Sequence, residues 1–283
     1  MARRRYDIDE RRISAWVKQG RGQGHGKSYK PWLTIQDVPS IGRSSRVLGD
    51  TTKRKHHLLS DIERGVCLAL DGCESVIDIR EQFPLPQEDT IVIAAEMGVK
   101  HPKQGGIDVV MTTDFLVDVR MSGDVRLEAI AVKSASALND MRTIEKLEIE
   151  RRYWLRRGVS WRISTELDLT FGEKMLALWC HGMDGFEHFE APATGSWPER
   201  CDRLVAELER CEAQPLRAFF GRLESDHGFE PGDALTVIRH LLHVGRLKLN
   251  GGGGFAPRGL TTQLIVQPRV GADDATNEGV RAA

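Results

Sequence analysis

Apolar residues recur at helical spacing in the first part of the chain. Ile8, Ile13 and Val17 predict a helix capped by Asp7 or Asp9 and ending near Lys18. Leu59, Ile62, Val66 and Leu70 share one face of a second helix, predicted over residues 57–70, with Glu63 beside that face. Alternating apolar runs then predict strands at 75–80, 114–120, 127–133 and 161–165. A long helix, 137–157, separates the last two. Met141, Ile144, Leu147 and Trp154 suit its sheet-facing side, and its charges, including Glu145, Glu148, Glu150, Arg151 and Arg152, suit i,i+4 pairs. Strands joined through a crossover helix imply an α/β fold, a mixed sheet flanked by helices.

The pattern changes after about Leu169. Helical periodicity returns at 172–181, 198–212 and 215–227, and the segment from Pro231 reads as helix, short strand, glycine-rich turn and strand. That order resembles the end of a winged helix, with Gly251 to Gly254 as the wing tip. The expected organisation is a catalytic domain over 1–168 with a basic N-terminal segment, a mainly helical interaction domain over 169–270, and a polar flexible tail over 271–283.

Composition narrows the class. Of 283 residues, 40% are hydrophobic and 29% charged, which suits packed soluble domains. No apolar run is long enough to span a bilayer, and the charged start MARRRYDIDERR leads into no apolar segment of a secretory signal. Five scattered cysteines fit neither a disulfide framework nor a zinc spacing, so reduced thiols in the cytoplasm are expected.

Charge is unevenly spread. Residues 1–57 carry 14 Lys/Arg against 5 Asp/Glu, a balance of +9 within a total of −1. A basic segment on an acidic body suits phosphate contact, with Arg21, His25, Lys27, Lys53, Arg54 and Lys55 as candidate DNA-binding residues. The competing reading is a solvated arm. The glycines of GRGQGHGK would let backbone N–H groups approach an anion. The spacing is not that of a nucleotide-binding P-loop.

Three residues carry candidate chemistry: Glu63 on the second helix, Asp114 at a strand start and Lys133 at the end of the next strand. Two carboxylates with a lysine suit a hard divalent cation and phosphodiester hydrolysis. Bland readings suffice for several others. His56 and His57 suit helix-start packing or phosphate contact better than metal ligation, His101 a turn or an approach to DNA or the active site, and Asp108 a solvated strand entry or a further acidic ligand. Asp118 lies four residues from Asp114, about 13 Å by strand rise, too far to share an ion. Trp32, Trp154 and Trp161 suit the core.

The runs RGQGHGK, PWL, HHLLSDIE, IDIREQFPL, KHP, TTDFLVD and EKLEIERRYW, collinear from Arg21 to about Thr165, resemble the TnsA family of endonuclease subunits of heteromeric transposases. The resemblance implies a restriction-endonuclease-like core with a PD-(D/E)XK-type site. It places the family's helix carboxylate on Glu63, its strand aspartate on Asp114 and its lysine on Lys133. Mg²⁺ or Mn²⁺ would be held by Glu63, Asp114 and the Val132 carbonyl. One position departs: Ala131 stands where an acidic residue or glutamine is usual, which bears on metal affinity and metal number. The resemblance also implies cleavage of the 5′-end strand at transposon ends, with DNA, a TnsB-type transposase and a TnsC-type ATPase as partners and no membrane. The alternatives are a non-catalytic adaptor bridging these partners, favoured by Ala131, and a stand-alone restriction or repair nuclease.

Overall fold

The computed structural model describes residues 9–37, 43–121, 123–251 and 255–268. It divides into two compact units, Met1–Lys174 and Met175–Ala283, against the 168/169 boundary expected from the sequence.

The first unit opens with α1 (Glu10–Lys18), capped by Asp9, whose side chain accepts from the Arg12 N–H. A hairpin follows, β1 (Ser45–Leu48) and β2 (Lys55–Leu58), then α2 (Asp61–Asp71). The second predicted helix thus begins four residues later than expected from residue 57. His56 and His57 belong to a strand. The physical reason is written at Ser60, whose hydroxyl accepts the Glu63 N–H at 3.1 Å and fixes the first turn there.

Next come β3 (Val76–Pro84), α3 (Gln87–Glu96), the small pair β4 (Lys103–Gln104) and β5 (Ile107–Asp108), β6 (Thr112–Met121), β7 (Asp124–Val132), α4 (Met141–Leu155) and β8 (Ser160–Ser164). Sheet order is β3-β6-β7-β8, antiparallel except for the parallel β7–β8 pair that α4 connects. This is the mixed sheet of a restriction-endonuclease-like core. One face packs Phe115, Val117, Ile130 and Val132 against Val66 and Cys67 of α2. On the other, Leu116 and Ala129 meet Ile93 of α3 and Ile149, Tyr153 and Trp154 of α4. Period-two alternation produces both faces from the same strands.

The glycine loop between α1 and β1 is held against β3. Trp32 N–H donates to the Gln82 carbonyl at 3.2 Å, and Tyr29 donates its hydroxyl to the Glu81 carbonyl at 3.1 Å. Gly22 (φ +77) approaches so closely that a Cβ would lie 2.2 Å from Pro84 Cγ.

In the second unit α5 (Phe171–Cys180), which straddles the division, leads to α6 (Trp197–Arg210), α7 (Leu216–His227), α8 (Asp233–His243) and the antiparallel pair β9 (Leu247–Leu249) and β10 (Leu264–Val266). Leu204, Leu216, Phe219, Val237, Ile238 and Leu241 form its core. An isolated antiparallel bridge joins Pro215 and Leu260. Gly252 to Gly254 of the expected wing tip, and the 271–283 tail, lie outside the described residues.

Candidate active site

Asp114 is the hub of the site. It shares the α4 side of the sheet with Leu116, two residues on. Its Oδ2 accepts the Val132 N–H at 2.7 Å and the Lys133 ammonium at 2.8 Å; its Oδ1 accepts the Gln82 side-chain amide at 3.3 Å. Lys133 also donates to the Val132 carbonyl at 2.8 Å. Lys133 follows β7 directly, and its backbone N–H donates to the Ser164 carbonyl of β8 at 3.0 Å. Burial alone would lower the Lys133 pKa, but Asp114, with Glu150 and Glu63 beyond it, outweighs burial and raises it. Lys133 is therefore an ammonium at neutral pH, a donor and a positive charge rather than a base.

Glu63 stands in the first turn of α2, buried to 7% exposure. One carboxylate oxygen accepts the Leu59 N–H at 2.9 Å and the other the Ser60 hydroxyl at 3.1 Å. Burial, then the charge of Asp114, push its pKa up to about 7 despite those bonds. A helix N-terminus and two donors thus hold a carboxylate that its surroundings resist charging.

Sequence reasoning missed a third carboxylate. Glu150 of α4 is 5% exposed and accepts the Trp161 indole N–H at 3.1 Å. Burial and Asp114 raise its pKa to about 7, while Lys133 opposes the rise. It was assigned to surface i,i+4 pairing, yet Glu148 takes that role, bonding Arg151 and Arg152 at 2.7 Å. The overlooked signal is spacing: Leu147, Glu150 and Trp154 are three and four residues apart, so Glu150 belongs to the buried stripe.

Gln82 was missed as well. It is 2% exposed, its φ is +49 in mid-strand, and its Oε1 accepts the Thr112 hydroxyl at 3.1 Å. Because a carboxylate only accepts, the amide nitrogen must face Asp114. Ala131 is fully buried, paired with Ile163 of β8.

Lys133 bonds Asp114 alone, and Glu63 and Glu150 act on the pair through space; the three carboxylates do not all bring their oxygens within 4.8 Å of one another, yet their charge exceeds that of the one ammonium. Two of the three have raised pKa values. Hard oxygen donors with excess negative charge fit a divalent cation.

Several expected DNA contacts are structural instead. Arg54 is 8% exposed, bonds both Glu81 carboxylate oxygens and the Ile79 carbonyl, and lies over the Tyr29 ring. Arg21 bonds Asp37 at 2.7 Å and the Trp32 carbonyl at 2.9 Å, stacked on Trp16. Both guanidiniums are committed inside the fold. Nor is the glycine loop an anion cradle: Gly26 N–H donates to Asp78 at 3.1 Å and Gly22 N–H to the Lys30 carbonyl at 2.6 Å. Lys27, Lys53 and Lys55 are exposed. His25 is exposed too, with Nδ1 3.5 Å from Asp78.

The remaining residues find ordinary partners. His56 is buried between Glu81 and Thr52, each at 2.8 Å. His101 bonds Asp108 at 2.9 Å and Thr90 at 3.0 Å. Asp118 pairs with Arg80. His25, Asp78 and Asp118 bring ligand-type atoms within 4.8 Å of one another, but Arg80 stands among them and compensates their charge.

Comparison with known proteins follows the same division of the chain. A family model described as the TnsA-like endonuclease N terminal matches residues 73–166, which include Asp114, Lys133 and Glu150. A second, the TnsA endonuclease C terminal, matches residues 177–250. The transposon Tn7 transposition protein TnsA of Escherichia coli is 53% identical over 250 residues, covering 88% of this chain and 89% of that protein. Among the described residues no helix is long and apolar enough to cross a membrane. The chain belongs to the TnsA endonuclease family.

Proposed function

We propose that this endonuclease cuts one DNA strand at each end of a transposon, the 5′-end strand, as a subunit of a heteromeric transposase. Its partners are DNA, a TnsB-type transposase that handles the other strand, and a TnsC-type ATPase regulator. The setting is the bacterial cytoplasm.

Asp114 and Glu63 would hold Mg²⁺ or Mn²⁺, with the Val132 carbonyl and Glu150 available to complete an oxygen shell. A divalent cation bound there supplies an activated water and neutralises phosphate charge. Lys133, kept charged by Asp114, donates a hydrogen bond to the attacking water or to a phosphate oxygen. Gln82 and the Val132 N–H fix the Asp114 carboxylate, so its ligand geometry is set before substrate arrives. Leu59 and Ser60 do the same for Glu63.

The observation that carries this reading is the Asp114–Lys133 ion pair at 2.8 Å, with the buried carboxylates of Glu63 and Glu150 within reach of its charges. Ala131 favours one other reading, a bridging subunit that binds partners but cuts nothing. Strand-specific cleavage of labelled transposon ends, with the transposase and ATPase partners present, separates the two. A 5′-strand cut that needs Asp114 supports the nuclease. Normal complex assembly without any such cut supports the bridge.

A further inference from the structure

A hollow of about 660 Å³ lies between the end of α1, the glycine loop and β2. Lys18, Lys27, Lys30 and Lys55 line it, all exposed. Arg21 and Arg54 contribute to its wall, but their charges are spent on Asp37 and Glu81. No carboxylate lines it, and among the described residues none pairs with these four lysines; Lys30 donates only to the Gln19 carbonyl, at 2.9 Å. Four like charges sharing one concavity repel one another, which a solvated face would relieve by spreading them. His57 lines the same hollow; its Nδ1 is buried and does not open onto it, and burial lowers its pKa, so the ring adds no charge to the four lysines.

Two residues beyond His57 in the chain, the Leu59 N–H holds the Glu63 carboxylate.

We infer that this hollow holds backbone phosphates of the cleaved DNA. The inference rests on the nuclease reading for its choice of ligand. Phosphate contact of this kind positions the strand and carries no base sequence. Lys18 and Lys30 join Lys27 and Lys55 as the contacts, in place of Arg21 and Arg54.

The test compares the full-length chain with its Lys27→Ala/Lys55→Ala variant. Both lysines are exposed, so the fold should be kept, which an unchanged Tm verifies. Binding to a transposon-end duplex is measured between about 50 and 200 mM salt, with phosphate-ethylation interference on the same DNA. The slope of log K against log salt should fall by about 2 in the variant. Ethylation interference seen with the unmodified chain should weaken at the phosphates that Lys27 and Lys55 contact. An unchanged slope overturns the proposal, as does absence of DNA binding by the unmodified chain at the lowest salt. Loss of association with the other transposition proteins at unchanged DNA slope also overturns it, and makes the hollow a site for an acidic protein segment. Asp114→Ala separates the two levels: it should keep the full slope while losing cleavage. If that variant still cuts, the nuclease assignment fails, and the slope of the lysine variant still decides the hollow.

Discussion

Gln82 and Asp114 face each other across β3 and β6, the amide of one donating to the Oδ1 of the other at 3.3 Å. The donor residue holds a left-handed backbone, φ +49, inside a strand. A non-glycine residue there costs on the order of 1–3 kcal/mol, and such strain persists where the surroundings impose it. Here the Trp32 N–H fixes the Gln82 carbonyl while Thr112 and Asp114 fix its side chain.

Gln82→Gly and Gln82→Ala should therefore separate strain from chemistry. Both lose the bond to Asp114, and cleavage should fall about 10- to 100-fold, with a higher metal concentration at half-activity. Glycine accepts the backbone angle, so its Tm should exceed that of the alanine variant. Cleavage unchanged in both variants would show that Asp114 needs no partner from β3.

Protonation of the site makes stability depend on pH and metal. Glu63 and Glu150 rise to about 7 in the folded chain. A carboxylate raised by folding binds more protons folded than unfolded, so its stabilising contribution is present below about 4.5 and lost as pH rises to about 7. Metal-free protein should thus lose stability across that window, and added Mg²⁺ should raise Tm more at pH 8 than at pH 6. Metal-dependent Tm shifts of equal size at both values would contradict it.

Arg54 should behave as a core residue. It pairs with fully buried Glu81, whose pKa is brought to about 2, against burial, by its bonds to Arg54 and His56. Arg54→Ala strands a buried charge and should cost roughly 3–5 kcal/mol of stability. Denaturant unfolding measures this. A variant as stable as the original, with weakened DNA binding, would restore Arg54 to the DNA surface.

Ala131 tests how the metal shell is completed. Its side chain is fully buried, so Ala131→Gln must displace neighbours at roughly 1–3 kcal/mol. The charge of Asp114 already acts on the buried Glu150 carboxylate. The variant should lose stability while its Mg²⁺ midpoint for cleavage stays within about twofold, a range set by less than ~0.5 kcal/mol of binding. A midpoint several-fold lower would mean that the position limits metal binding.

Much of the core was legible because period-two runs and the α4 crossover are strong local signals. Asp114 and Lys133 could be placed at strand ends from alternation, and the family resemblance then joined Glu63 to them. The start of α2 was readable in Ser60 and Glu63 as a capping pair, but the apolar face of residues 59–70 drew it too early. Glu150 hid among the charges of α4 because its neighbours do form surface pairs. Gln82 left no trace, since a positive φ at glutamine follows from tertiary contacts rather than local propensity. Arg21 and Arg54 were misread because charge counting cannot see Asp37 or Glu81, which reach them from distant positions.

The most direct measurement is 5′-strand cleavage at labelled transposon ends by the Asp114→Ala variant, with Mg²⁺ and the partner proteins present. Removing the hub ligand should lower the rate about 1,000-fold, or roughly 4 kcal/mol of transition-state stabilisation, while DNA binding remains. Cleavage within about tenfold of the original chain would contradict the account, because no site built on Asp114 could then be making the cut.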